Sequence, residues 1–441
     1  MKQSKHNIYY SPKEVRTILE RSIDTALDGL KCYCNDPVSD FTRCRKLPAR
    51  TLIECIMSFS NYSSIGELSH FFEGRGKMPS ASALSQRRKL LDPDIFKRIN
   101  NLFVSAFDDH TTINGYHILA QDGSDVNIPF MDDKTKTEKH DAKSFCQYHV
   151  NALYDCLNKV FYDWSIDAAS KKREVNALIS ILKDRNYPQN SIFTADRGYE
   201  SYNLMAHFIE NDIKFVIRVK DIHTKVGLMT NVRTEEGAFD MRINRTLTSL
   251  QTKEIKADKE KYIFVPTTSN FDFLDETRVF YDLSFRAVRF KISEDVYETV
   301  VTNLSEEEFG TDDFKELYHY RWNEETAFNK LKYTIGLVYF HARKRKLIQQ
   351  EINAAFLMYN VSEVIIRNID LKKDKKLKLE YDYKPNFSSA VTNIRLYLRK
   401  KINMKELILR IKKFLVPQRP ERSFERNIKG QACKPLNYRT S

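Results

Sequence analysis

The chain reads as an α/β protein, a mixed sheet with helices on its faces, interrupted by a β-rich insertion and flanked by a helical region at each end. Three observations lead there. Helical periodicity ends near Gly115 and strand-like apolar runs begin. After the third such run, helix and strand patterns alternate. Between Lys220 and Asn303 short strand patterns return, separated by charged turns. The divisions expected are a helical segment at 1–110, a first core segment at 111–220, a β-rich inserted domain at 221–303, a second core segment at 304–370 and a helical, basic region at 371–441.

In the first segment, Pro12 to Leu30, Ala49 to Phe59, Ser64 to Phe72, Ser80 to Leu91 and Pro93 to Phe107 carry helical patterns. In SASALSQRRKLL, Ser80 or Ser82 can cap a helix that displays Ser85, Gln86, Arg87 and Arg88, side chains able to reach phosphates or base edges. Segment 1–110 is therefore expected to be a small DNA-binding domain contacting DNA through Arg87 and Arg88, or else a helical cap with a basic exterior.

HILAQDGSDVNIP, FCQYHVNALYDCL and KVFYDWSIDAAS are expected to form three antiparallel strands, joined by a polar loop at Asp132 to Lys143 and a tight turn at Leu157 to Lys159. A helix from Lys171 to Arg185, the strand SIFTADRG, a helix from Glu200 to Asn211 and the strand KFVIRVK follow. That order matches a ribonuclease H-like mixed sheet. KYIFVP, TRVFYDL, FRAVRFKI and YETVVTNL supply the insertion's strands, and an apolar helix follows at Ile348 to Arg367. After the Lys-rich LKKDKKLKLEYDYK, a helical stretch from Asn386 to Phe414 leads into a basic, Pro-punctuated tail expected to be extended or disordered.

At 441 residues the chain exceeds one ordinary core and calls for about two to four domains. Its formal net charge of +13 points to a polyanionic partner, and nucleic acid leads because the basic residues are spread along the chain and not gathered on one amphipathic helix. Ile352 to Ile366 is too short and too polar to span a bilayer, and MKQSKHNIYYSPKEV lacks a signal peptide's apolar core, so a soluble, cytoplasmic protein is expected. The seven cysteines are scattered and odd in number, which fits reduced thiols. Cys32, Cys34 and Cys44 lack a clear fourth partner for zinc.

YHYRWNEETAFNKLK spaces Tyr318, Arg321, Glu325 and Lys332 by three, four and seven. On one continuous helix at about 100° per residue these fall within roughly 60° around the axis and about 21 Å along it, with Glu324 about 100° off the stripe. A carboxylate flanked by a guanidinium, an ammonium and a phenol suits a metal-bound phosphate chain, although charged stripes are also ordinary solvated helix faces. Phosphodiester chemistry commonly uses two divalent cations about 4 Å apart, held by carboxylates. Asp122 stands at the end of the apolar run His117 to Ala120, Asp196 closes SIFTADRG, and adjacent strands would make them neighbours. Either could instead be an ordinary turn or capping aspartate. Asp125, Asp155, Asp163 and Asp167 are set aside, Asp125 because alternation places it on the opposite face from Asp122.

With QDGS, TADRGY and Tyr-x2-Arg-x3-Glu-x6-Lys in this order, and a β-rich insertion before the last, the chain resembles the DDE transposases of the bacterial insertion-sequence type 4 family. The resemblance runs from about Ser80 to RPERSFER. It implies a ribonuclease H-like catalytic core and two Mg²⁺ ions, replaceable by Mn²⁺, at Asp122, Asp196 and Glu325, with Tyr318, Arg321 and Lys332 holding DNA phosphates. It implies as partners the element's terminal inverted repeats and target DNA, a homodimer pairing two ends, and a place at the bacterial nucleoid. The reaction implied is cleavage that frees a 3′-hydroxyl and then joins it to target DNA. Members forming hairpins use a Trp in the insertion as a platform for a flipped base. Trp164 and Trp322 both lie elsewhere, so Phe271, Phe273, Phe280 or Tyr281 would have to substitute. The alternatives are an inactive, transposase-derived DNA-binding protein and a nuclease of the same fold that does not join strands.

Overall fold

The computed structural model describes residues 1–5, 9–43, 45–108, 110–139, 142–169, 174–222, 224, 226–234, 236–269, 271–294, 296–371 and 381–418. A short strand β1 (Gln3–Lys5) precedes five helices, α1 (Pro12–Asp28), α2 (Ala49–Met57), α3 (Ser64–Phe72), α4 (Ala81–Leu90) and α5 (Asp94–Val104). Local chemistry sets several of their starts. Ser11 and Glu14 form a reciprocal capping box with Pro12 at the first position of α1, while Ser63 and Ser80 cap α3 and α4.

Strand β2 (Thr111–Ile113) pairs with β1, and the main sheet begins at β3 (His117–Ile128). Then come β4 (Lys136–Lys139), β5 (Ala142–Asp155), β6 (Val160–Ala168), α6 (Glu174–Asp184), β7 (Ser191–Ala195), α7 (Tyr202–Glu210) and β8 (Lys214–Val219). β6, β5 and β3 are antiparallel neighbours, while β7 and β8 add on parallel, with β3 at the centre. This is the strand order expected from the sequence. The loop expected at Asp132 to Lys143 instead contains β4, which pairs with β5.

The β-rich segment differs from expectation in a more consequential way. Its elements are β9 (Phe239–Thr248), α8 (Lys253–Ala257), β10 (Tyr262–Phe264), β11 (Phe280–Ser293) and β12 (Val296–Thr302). The run TRVFYDL leads into β11 at Phe280, and FRAVRFKI continues the same long strand. β12 pairs with β8, so the segment extends the same sheet in the order β10-β9-β11-β12-β8. The edge of β8 offers unpaired backbone groups, and β12 satisfies them. Arg286 is buried beneath this junction, paired with Asp240 at 2.5 Å and donating to the backbone carbonyl oxygens of Ser305 and Phe309.

After the sheet come α9 (Asp313–His319), α10 (Trp322–Lys330), a π-helical turn at Leu331–Ile335 and α11 (Arg345–Arg367). The chain closes with β13 (Asp382–Pro385), α12 (Phe387–Leu398), α13 (Met404–Lys413) and β14 (Leu415–Gln418). The helical stretch expected from Asn386 to Phe414 consists of α12 and α13, separated by a turn where Lys400 adopts a φ of 60°. The Lys-rich stretch at 372–380 and the basic tail from 419 onward lie outside the described residues, as does Cys44. Cys32, Cys34, Cys55, Cys146 and Cys156 are free thiols.

Helix α11 is the spine of the molecule. It packs on α1, α2, α4 and α5 and on β6 of the sheet, and is buried along most of its length. The asparagines that make it too polar for a membrane are the reason it holds its place. Asn353 accepts from Trp164 Nε1 at 2.8 Å and donates to the Pro93 carbonyl oxygen. Asn360 accepts from the Phe161 backbone N–H at 2.8 Å and donates to Asn100. No helix among the described residues is long and apolar enough to cross a membrane.

At the N-terminal end of α11 sits a buried charged cluster. Arg88 donates to Glu351 at 2.8 Å and to the Leu347 carbonyl oxygen. His341 lies 3.0 Å from Glu351 and 3.4 Å from Glu67, whose carboxylate also accepts from the backbone N–H groups of Ser60 and Tyr62. Burial opposes the charge of Glu351, but Arg88 and His341 overcome it and hold the carboxyl down at about 2. With the folded value below the unfolded one, the unfolded chain binds the extra proton on acidification. The resulting stabilisation is therefore present above about pH 4.5 and is lost as pH falls toward about 2. Glu351→Gln leaves Arg88 buried without its counter-charge. At pH 7 we expect it to lower unfolding free energy by about 3 kcal/mol in urea titrations, with a loss below about 1 kcal/mol contradicting this account.

Candidate active site

The two aspartates are brought together by strand register. β3 and β7 run parallel with Gln121 opposite Ala195, so Asp122 and Asp196 are the residues that directly follow the last pair, and the charge of Asp196 reaches the Asp122 carboxyl. Asp196 caps the short turn after β7, its Oδ1 accepting from the Gly198 N–H at 2.8 Å. The capping role and a place beside Asp122 therefore coexist. Asp122 Oδ1 accepts from the Gly123 N–H at 2.8 Å, and its Oδ2 lies 3.8 Å from Arg321 Nη1. Burial pushes the Asp122 carboxyl up, and the charges of Asp196 and Glu174 add to this, while the Gly123 N–H and Arg321 work against it.

Tyr318 and Arg321 are both buried, and Arg321 Nε donates to the Tyr318 hydroxyl at 3.1 Å. Burial opposes the guanidinium's charge, yet Tyr318 and Asp122 outweigh it and raise Arg321 further. Lys332, half-buried on the π-helical turn, is lowered by burial against the opposing charges of Asp125 and Asp122. Arg321 thus contacts Asp122 in the middle of β3, and Lys332 lies within electrostatic reach of it.

The continuous helix assumed for these residues is not what forms. α9 stops at His319 and α10 begins at Trp322. Across the junction the backbone bonds run i to i+3, from Arg321 N–H to Tyr318, Asn323 N–H to Tyr320 and Glu324 N–H to Arg321. Such tightening turns each residue by about 20° more than an α-helix does, so the angular phase drifts. Glu324, which the ideal stripe leaves aside, is the fully buried carboxyl of this turn. Burial first, then the charge of Asp122, push it well above the usual carboxylate range, with Asp196 adding to the effect. Glu325 sits half-buried one residue further on the same turn.

Three further residues complete the neighbourhood. His149 on β5 is fully buried, with Nδ1 2.7 Å from Asp125 Oδ1 and Nε2 3.2 Å from Glu174 Oε1. Asp125 is thus occupied by this histidine. Glu174 opens α6, and its charge reaches both Asp122 and the buried Tyr199. The sequence reading missed Glu174 and His149. The available signal was the alternation of His149 and Asn151 along β5, which the pairing sets opposite Asp125 and Gly123.

The arginines expected to contact DNA part company. Arg88 is buried in the Glu351 cluster and is a structural residue, because its guanidinium donates to Gln350, the Leu347 carbonyl oxygen and Glu351, all on α11. Arg87 stacks its guanidinium 4.1 Å from the Phe41 ring centroid and donates through Nε to the Leu47 carbonyl oxygen. It lines a groove of about 870 Å³ with Arg43, Arg45 and Lys46. Of the aromatics expected to receive a flipped base, Tyr281 is buried against Phe271 and Phe273, and Phe280 is the exposed one.

The chemistry of the site is that of hard oxygen donors beside fixed cations. Carboxylates of this kind fit Mg²⁺ or Mn²⁺, which take oxygen ligands and keep several waters. Among the described residues no three acidic, histidine or cysteine side chains enclose an ion by themselves. Gly123 is a packing requirement here, since a Cβ on it would fall 2.3 Å from His149 Nε2. Gly123→Ala should displace that ring and lower stability by about 1–3 kcal/mol in thermal unfolding, and unchanged stability would refute the close approach.

Residues 113–361 match the family described as transposase DDE domain, and the chain belongs to that family. No curated protein matches. A search of solved structures finds the piggyBac transposase synaptic complex with hairpin DNA, 11% identical, at a TM-score of 0.44, covering 96% of this chain and 90% of that one.

Proposed function

We propose that this member of the transposase DDE domain family cleaves DNA at the terminal inverted repeats of an insertion sequence and joins the freed 3′-hydroxyl to target DNA. The observation carrying the proposal is the parallel register that sets Asp122 beside Asp196 and within reach of Arg321. Asp122, Asp196 and Glu325 would hold Mg²⁺. Bound there, divalent cations lower the pKa of an attacking water or hydroxyl and offset charge on the leaving oxygen. Arg321, braced by Tyr318, and Lys332 would grip phosphate oxygens and hold the scissile bond against the acids. The Tyr318, Arg321, Glu325 and Lys332 spacing supports the bacterial insertion-sequence type 4 branch.

The basic groove beside α4 would position DNA through its backbone, with Arg43, Arg45, Lys46 and Arg87 facing phosphates. A homodimer would pair the two ends, with α12 and α13 as the proposed contact, where Leu409 is exposed. Action on DNA would put the protein at the nucleoid. If a hairpin forms, Phe280 is the candidate platform for the extruded base.

Cleavage and joining of a duplex carrying the terminal repeats, in Mg²⁺, test the proposal. Asp122→Asn, Asp196→Asn and Glu325→Gln should each abolish both steps while still binding DNA, and cutting by any of them would remove that residue from the cation set. Glu324→Gln keeps the shape of a buried carboxyl whose charged form burial disfavours, and should retain cleavage within about tenfold. Loss of cutting in Glu324→Gln together with activity in Glu325→Gln would make Glu324 the third acid. In the groove, replacing Arg43, Arg45 and Lys46 by alanine should flatten the salt dependence of binding by about one unit of log–log slope per phosphate contact removed. An unchanged slope would place the DNA elsewhere.

A further inference from the structure

We propose that Glu174 is a fourth carboxylate of the cation site, lying across from Asp196 and held there by His149. The inference rests on reading Asp122 and Asp196 as cation ligands. His149 is fixed at both ring nitrogens, Nδ1 against Asp125 Oδ1 at 2.7 Å and Nε2 against Glu174 Oε1 at 3.2 Å. Nε2 also lies 3.1 Å from Asn151 Oδ1, so the ring edge sits between that amide oxygen and one oxygen of Glu174. The other oxygen faces the turn after β7. A Cβ placed on Gly198 would lie 3.4 Å from Glu174 Oε2 and 2.9 Å from Asp196 Oδ1. Both carboxylate oxygens therefore border the same small space, which the glycine keeps clear.

A separate observation points to a ligand at this place. Tyr199 and Glu324 are buried within electrostatic reach of Asp122, and the Tyr199 hydroxyl and both carboxyl oxygens of Glu324 lack hydrogen-bond partners. Tyr199 and Gln121 are near neighbours, but not in bonding geometry. Unsatisfied buried atoms such as these are rare in native proteins, where each normally meets a partner, a water or an ion. A hydrated divalent cation would supply both, because it binds carboxylate oxygens directly and its waters donate to and accept from the surrounding polar atoms. Two or three protein carboxylates suffice for an ion that keeps its remaining waters.

Manganese binding to the full-length, DNA-free protein tests this, with free Mn²⁺ read by electron paramagnetic resonance for the wild type, Glu174→Gln, Glu174→Asp and Asp196→Asn. Glu174→Gln is expected to weaken Mn²⁺ affinity about tenfold or more, and Asp196→Asn at least as much. Wild-type affinity in Glu174→Gln beside weakened binding in Asp196→Asn overturns the role of Glu174 and leaves the site standing. Wild-type affinity in both overturns the cation reading as well. If thermal melts show Glu174→Gln to be unfolded, Glu174→Asp takes its place. It keeps the charge but draws the carboxylate back by one methylene, so weaker binding is expected and unchanged binding refutes the proposal.

Discussion

Everything at the site depends on one constraint, the parallel pairing of β3 with β7 in a register that sets Asp122 next to Asp196. Burial raises the cost of charge on Asp122, and the carboxylate of Asp196, just beyond the end of β7, adds repulsion. The protein answers with Arg321, itself steadied by Tyr318, and with the N–H groups of Gly123 and Gly198. These contacts leave a concentration of negative charge that a divalent cation suits. The same crowding accounts for Glu324, a carboxyl forced toward its neutral form by burial and by its acidic neighbours.

The scaffold around that pairing is unusually continuous. The β-rich segment does not form a second sheet but lengthens the first through β8 and β12, so one backbone ladder runs from β10 to β7. On the other side, α11 joins the N-terminal helices to β6 through asparagines whose bonds are all to groups distant in sequence. Buried amides of this kind orient a helix, since any rotation leaves their partners unsatisfied. The Arg88, Glu351, His341 and Glu67 cluster does the same with charge.

Much of this was legible in the chain. Apolar alternation identified the core strands, serine caps marked α3 and α4, and the position of Asp122 and Asp196 at the ends of apolar runs followed from the expected strand order. Legibility failed where the outcome depended on contacts between distant segments. Arg88 looked like a surface residue on a weakly amphipathic helix because its partner lies on α11, more than two hundred residues away. Glu174 looked like any acid in the first turn of a helix, since its meaning comes from His149 on β5 and from Gly198 after β7.

The sequence by itself determined which residue types were available and roughly where along each element they stood, because periodicity, caps and turns are properties of a few consecutive residues. Tertiary structure decided which of them meet. Glu324 and Glu325 differ by one position, and an ideal helix assigns the stripe to Glu325, yet the tightened turn after Tyr318 carries Glu324 inward against Asp122. That turn is set by the packing of Tyr318 and Arg321 against β3 and its neighbours, a constraint that no local periodicity contains.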